Sequence, residues 1–329
     1  MRRRVFLMAA SAASAAWGQA DWRRVPVPLV SPDGYLSALY RRWYAPQAAA
    51  FDVGARTLAA TLTSHCAYGA LADARDASID AMTAWERLGA VAVGPLIERR
   101  TARRIDFTPT RPASVLRAAQ DTPQDMARVG GPAKGLGALE WLLWKEPVTP
   151  GSATCRYAVR VADDIAAEAT ALAAAFAEPR EWPADTQAVA FGGVVNQFVG
   201  GIEALRWGQI EKPLKEGRGR FPRALSGATA AAWQARWQAL RVLAVDGPDA
   251  HNAPVSIEAY LRGRGLNPLA DTLRAAVDRC DAALRGASPA RSEELQSAAR
   301  ALDKLKRLVE FEVAPALKVS IGFTDSDGD

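Results

Sequence analysis

The residue most in need of a chemical partner in this chain is Glu140. It follows Leu136 and Leu139 and precedes Leu143, and on a helix turning about 100° per residue it falls roughly 40° from Leu136, inside the apolar stripe. A carboxylate placed there has to be paired, hydrogen-bonded, bound to a metal or kept protonated. Few other groups offer catalysis. His65 and His251 are the only histidines and neither belongs to an H-E-x-x-H pair, so zinc-protease spacing is absent. His65, three residues after Leu62, reads as a helix-surface or core residue, with a metal ligand as the alternative. There is no G-x-S-x-G elbow and no G-x-x-x-x-G-K-[ST] loop; Gly135-Leu136-Gly137 opens a G-x-G pattern, but Glu140 occupies the position of its third glycine. A phosphate cradle is therefore not expected.

Cysteine chemistry is equally limited. Cys280 continues the stripe Leu269, Leu273, Val277, Cys280, Leu284, which makes it a buried thiol. Cys66 and Cys155 are then the pair expected to form a disulfide in an oxidising compartment, although Cys66 also lies four residues after Leu62 and eight after Leu58 on one helix face. The tail Asp325-Ser326-Asp327-Gly328-Asp329 imitates the first half of a calcium loop and lacks the rest, so it reads as a solvated acidic terminus.

Such residues must be positioned by helices. The chain has 329 residues, of which 69 are alanine, and 49% are hydrophobic. Alanine is the strongest helix former and leaves little bulk between packed helices. Helical stretches are expected at about 33–70, 77–99, 113–120, 135–145 and 152–178. After the Pro179–Pro183 segment come 185–212, 227–245, 256–262, 268–284 and 290–317. The last of these carries Leu295, Ala298, Leu302, Leu305, Val309 and Val313 as one amphipathic stripe. The fold class expected is all-α, two tandem up-and-down four-helix bundles with residues 21–178 in the first and 179–329 in the second. Asn196-Gln197, within the apolar run Val194 to Leu205, is expected to form an interhelical hydrogen-bonded pair or to line a cleft.

Residues 1–20 read as a cleavable export signal: a cationic start, an apolar run from Val5 to Trp17 and small residues at Gly18 and Ala20. Arg3-Arg4-Val5-Phe6-Leu7 resembles a twin-arginine signal. The mature chain is expected in the bacterial periplasm, with no later apolar segment long enough to cross a membrane. The formal charge of +5 includes Arg2, Arg3 and Arg4, and removing these three leaves +2, too little to indicate a nucleic-acid partner.

Gly135-Leu136-Gly137-Ala138-Leu139-Glu140-Trp141-Leu142-Leu143-Trp144 resembles the imelysin signature, G-x-H-x-x-E followed by an aromatic, two leucines and an aromatic. Trp85-Glu86-Arg87-Leu88, Arg104-Ile105-Asp106-Phe107, the stretch from Trp207 to Pro213, and the ending from Glu312 through Phe323 to Asp329 are similar to other blocks of that family. The resemblance implies two helical bundles with a cleft between them, a tail folding back around Phe323, and a periplasmic or cell-surface protein. Family members include a reported insulin-cleaving peptidase, iron-regulated proteins and periplasmic parts of iron-uptake systems. One departure is decisive: the motif's histidine is Gly137 here. Glu140 alone makes a poor transition-metal site, with His65 a remote substitute.

The function expected is a non-catalytic binding or accessory protein connected with iron or another divalent metal. Its partners would be a metal ion or small ligand and a periplasmic or membrane transport protein. A metallopeptidase, and a structural module that has lost the site, are the alternatives. The residues of the motif and cleft are then Gly135, Gly137, Glu140, Trp141, Trp144 and Phe323.

Overall fold

The structure, a computed structural model, describes residues 29–121, 123, 125–146, 148–217, 221–245 and 256–322. The expected export signal, Phe323 and the acidic tail lie outside the described residues. Among the described residues the chain is helical, with no strand.

Ser31 opens the first helix by accepting from Gly34 N at 3.1 Å, with Pro32 at the first helical position, where its missing N–H is no loss. This helix, α1 (Pro32–Leu39), runs through a π-helical turn at Tyr40–Tyr44 into α2 (Ala45–Tyr68). Gly69 ends α2 in the left-handed conformation, φ 90°, and α3 (Leu71–Leu88) starts at once, six residues earlier than the sequence reading places it. Short helices α4 (Pro95–Glu98) and α5 (Thr101–Ile105) lead to α6 (Pro112–Asp121), α7 (Gly135–Trp144) and α8 (Ala153–Ala177). After an irregular connection come α9 (Gln187–Glu203), a π-helical stretch at Ala204–Glu211, α10 (Lys212–Glu216), α11 (Thr229–Ala244) and α12 (Ile257–Arg262). The remainder is α13 (Asn267–Arg285), α14 (Ser292–Leu308), a π turn at Val309–Val313 and α15 (Ala314–Ala316).

The abundant alanines show their use at the α2–α3 and α2–α8 contacts, the most extensive in the molecule. Ala48, Ala55, Ala74, Ala81, Ala158, Ala162 and Ala169 are fully buried, so these helices approach closely and larger neighbours such as Phe51, Leu58, Leu62 and Ile165 interlock. α9, α13 and α14 assemble the second half. Most buried apolar residues of both halves form one continuous cluster, and Met82, Ala228 and Ala232 form a small second one. Two contacts join the halves most directly: α3 lies along α11, and Tyr35 on α1 packs edge-on against Phe191 and Tyr260, with ring centroids 5.3 and 5.1 Å away.

Two expectations are corrected. The run Gln187–Glu216 is long and apolar enough to cross a bilayer, contrary to the sequence reading, but 56% of its apolar window is buried within the fold. Phe191, Val195, Phe198, Ile202 and Leu205 face the core, which is where its hydrophobicity belongs. Asn196 does not pair with its neighbour on another helix. Its amide donates to Gly192 O and Ser320 O and accepts from Gly322 N, tying the last described residues to α9.

Cys66 and Cys155 are joined, with Cα atoms 5.7 Å apart, across 89 residues of sequence. The bridge fastens the end of α2 to the start of α8. Cys280 is a free, buried thiol; burial, reinforced by Asp281 and partly offset by Arg279, pushes it up to about 12. Denatured, unreduced protein should therefore titrate one thiol. Replacing both bridged cysteines by serine should lower unfolding free energy by about 2–5 kcal/mol, read by urea denaturation; equal stability of the two proteins would show the bridge to be energetically idle.

Candidate functional site

The motif helix α7 is held at its beginning by three independent contacts. Gly135 adopts φ 80° and its Cα faces the carbonyl of Ile105 so closely that any Cβ would overlap it, so only glycine fits. Lys134 Nζ donates to Asp164 Oδ2 and Met126 O, each at 2.9 Å, and Tyr157 OH donates to Ala133 O at 2.8 Å. At the other end Arg75 Nε donates to Leu143 O at 2.9 Å, and its guanidinium lies 5.5 Å from the centroid of Trp144, a cation placed where helix carbonyls are unsatisfied. Trp141 packs half-buried on the core.

Glu140 therefore projects from a rigid helix, and its partner is a loop of the second half. Its Oε1 accepts from Ser226 N at 3.0 Å and from Ser226 Oγ at 2.6 Å. The same loop carries Arg223, held at φ 60°, a conformation that costs a residue with a Cβ about 1 kcal/mol or more. What holds it is an ionic cluster. Arg223 Nη2 donates to both oxygens of Asp106, at 2.8 and 2.7 Å, and to Glu86 Oε1 at 3.1 Å. Glu86 Oε2 also accepts from Gln209 Nε2 at 3.1 Å and Arg236 Nε at 3.0 Å, and Trp85 Nε1 donates to Asp106 Oδ2 at 2.8 Å.

Glu86 is 1% exposed. Burial alone would raise its pKa, but Arg236 and Arg223, with the hydrogen bonds from Gln209 and Arg236, outweigh it and hold the carboxyl below its ordinary value. Asp106 is shifted the other way, by burial first and by the nearby charge of Glu86, against the pull of Arg223. For Arg223 burial opposes the charge, and Asp106 and Glu86 more than restore it. The cluster joins α3, the segment after α5, the π stretch Ala204–Glu211, the 221–228 loop and α11.

Beside Glu140, Arg223 and Ser226 there is a recess of ≈10 Å³, walled by Ser78, Met82, Leu136 and Trp144 among others. It has room for about one water molecule. Arg223 Nε is buried here without a protein partner.

The space beside Gly137, where the signature's histidine would stand, is filled. A Cβ on Gly137 would overlap Thr110 Oγ1. His65 is not brought to Glu140: it is 3% exposed, its Nε2 donates to Val148 O at 2.7 Å, and it does not line the recess. Among the described residues no group of three or more His, Cys, Asp and Glu side chains could hold a metal ion. A metal of the kind implied by the signature does not fit these residues: one ligand is glycine, and an oxygen of the other is engaged by two donors of Ser226. The sequence reading singled out Glu140 and missed Ser226, Arg223 and Thr110. All three come from irregular segments where no periodicity marks a partner; Glu86 and Asp106 stood in recognised blocks, but their charges gave no hint that they share one arginine.

The family model for Imelysin (peptidase M75) matches residues 36–310. Among solved structures, an imelysin-like protein from Psychrobacter arcticum 273-4 is similar with a TM-score of 0.73 and 17% identity, over 90% of this chain and 99% of that one. A putative iron-regulated protein A precursor from Parabacteroides distasonis ATCC 8503 is similar with a TM-score of 0.70 and 14% identity, over 87% of this chain and 94% of that one. No curated protein matches the chain.

The depressed pKa of Glu86 carries a sign. A carboxyl with a folded pKa below its unfolded value, about 4.3, contributes stability above that value and loses it as the pH falls through the folded pKa. Glu86→Gln should therefore destabilise the protein at pH 7 by on the order of 3 kcal/mol, and the difference from the parent should shrink near pH 3. Urea unfolding at both pH values measures it; an unchanged difference would rule out a charge-based role for Glu86.

Proposed function

The chain belongs to the imelysin family, and on that premise we propose that it is an exported, non-catalytic accessory protein of the cell envelope. In this reading it serves the uptake of iron or another metal without ligating a metal at its motif. The observation that carries the reading is Thr110 against Gly137: the place of an imidazole is occupied by a side chain that binds metal poorly. Glu140 then acts as an acceptor that fixes the Ser226 loop across the two halves. A metallopeptidase would need a metal-activated water, and among the described residues no cluster of His, Cys, Asp and Glu offers donors for that metal. Export is supported by the apolar, arginine-led N-terminus. The iron connection is supported by the likeness to a protein described as iron-regulated; it is an inference for this chain.

Metal titrations decide the matter. Calorimetry with Fe, Cu and Zn ions should show no site on the mature protein that Glu140→Gln abolishes. The double variant Gly137→His with Thr110→Ala, which both supplies the imidazole and clears its space, should gain affinity by about tenfold or more, one added ligand contributing at least 1.4 kcal/mol. Tight binding to the parent protein, lost in Glu140→Gln, would overturn the proposal.

A further inference from the structure

A second cavity lies away from the ionic cluster, between α6 and the turns that lead to α7. It measures ≈320 Å³, within the range of small-molecule sites. Arg111, Arg117 and Arg128 line it, together with Ser114, Val129 and a single carboxylate, Asp121.

The pairing of these arginines sets the cavity apart. Among the described residues three other pairs of arginines share a carboxylate: Arg99 and Arg104 with Glu168, Arg223 and Arg236 with Glu86, Arg262 and Arg274 with Glu258. Among the described residues Arg111 and Arg117 make no side-chain hydrogen bond or ion pair, and Arg128 reaches only Asp125, at 3.8 Å between two exposed side chains. The three side chains are exposed and converge on one concave surface, where like charges attract an anion, most strongly at low salt, and guanidinium is the side chain best shaped to take carboxylate or phosphate oxygens in pairs.

The cavity is also built on a fixed frame. Val115 and Ala119 anchor the opposite face of α6 in the core. Arg111 N donates to Pro132 O at 2.8 Å while its carbonyl accepts from Ser114 N at 2.9 Å and Val115 N at 3.0 Å. The backbone of the first arginine is thus locked to both walls, and Ser114 sits in the first turn of α6, where the helix dipole also favours negative charge. Asp121 excludes a uniformly anionic ligand surface and would accept from a hydroxyl, and Val129 offers a small apolar contact.

We propose that this cavity binds a small organic polyanion, with at least two carboxylate or phosphate groups held by Arg111, Arg117 and Arg128. The site is independent of the motif helix and of the reading given to it above.

Calorimetry on the mature protein in low-salt buffer tests it, with citrate and fructose 1,6-bisphosphate as the two probes and acetate as the monovalent control. At least one polyanion should bind and acetate should not; the stronger probe identifies the acid group preferred. Arg111→Gln and Arg117→Gln should each weaken that binding by about tenfold or more, the loss of one charge-assisted pair, with unchanged thermal unfolding of the unliganded protein. Arg300→Gln, an exposed charge on α14, should leave binding unaltered. The proposal is overturned if neither polyanion binds, or if Arg300→Gln weakens binding as much as the cavity variants do.

Discussion

A guanidinium withdrawn from water has to be surrounded by negative charge, and Arg223 meets this condition only where the two halves of the molecule meet. Its carboxylate partners, Glu86 and Asp106, both belong to the first half, while Arg223 itself is on a loop of the second. Moving the loop away would leave Asp106 with the indole N–H of Trp85 alone and Glu86 with Arg236 and Gln209, and stripping a buried carboxylate of its cation costs more than the net value of the ion pair itself. The cluster therefore fixes relative position more than it adds stability. Ser226 follows three residues later, so the carboxylate of Glu140 is answered as a consequence of where Arg223 is anchored. The left-handed backbone at Arg223 is a local strain that the same anchoring sustains.

The aromatic and aliphatic packing follows from this arrangement without needing to specify it. Hydrophobic burial is non-directional, and the large cluster of apolar residues running through both halves sets no polar register between α3 and α11. Directional contacts fix position at a few points: the Arg223 cluster, the tyrosine edge contacts of α1, and Asn196 holding the returning tail.

What the sequence discloses and what it conceals divide along the same line. Helices are legible because their signals are local: alanine content and the stripe from Leu295 to Val313. Glu140 is legible as a polar residue within an apolar face, since that is a property of one helix. Its answer is not legible, because Ser226 lies 86 residues away in an irregular loop. The hydropathy of Gln187–Glu216 misleads in the other direction, since the same apolar density serves a bilayer or a protein core and only the neighbours of Phe191 and Phe198 distinguish the two. Likeness at 14–17% identity carries the fold across, yet the residue that separates this chain from the signature is one glycine.

That glycine also limits what the sequence can become. Thr110 Oγ1 stands where a Cβ at position 137 would go, so the two positions form an interdependent pair. An imidazole placed at position 137 alone meets Thr110, and clearing that position alone leaves a void beside α7 with nothing to fill it. Each single step is disfavoured while only the pair is rewarded. The two positions therefore behave as a unit: a change at one is costly until the other has changed, so the glycine and the threonine hold each other in place.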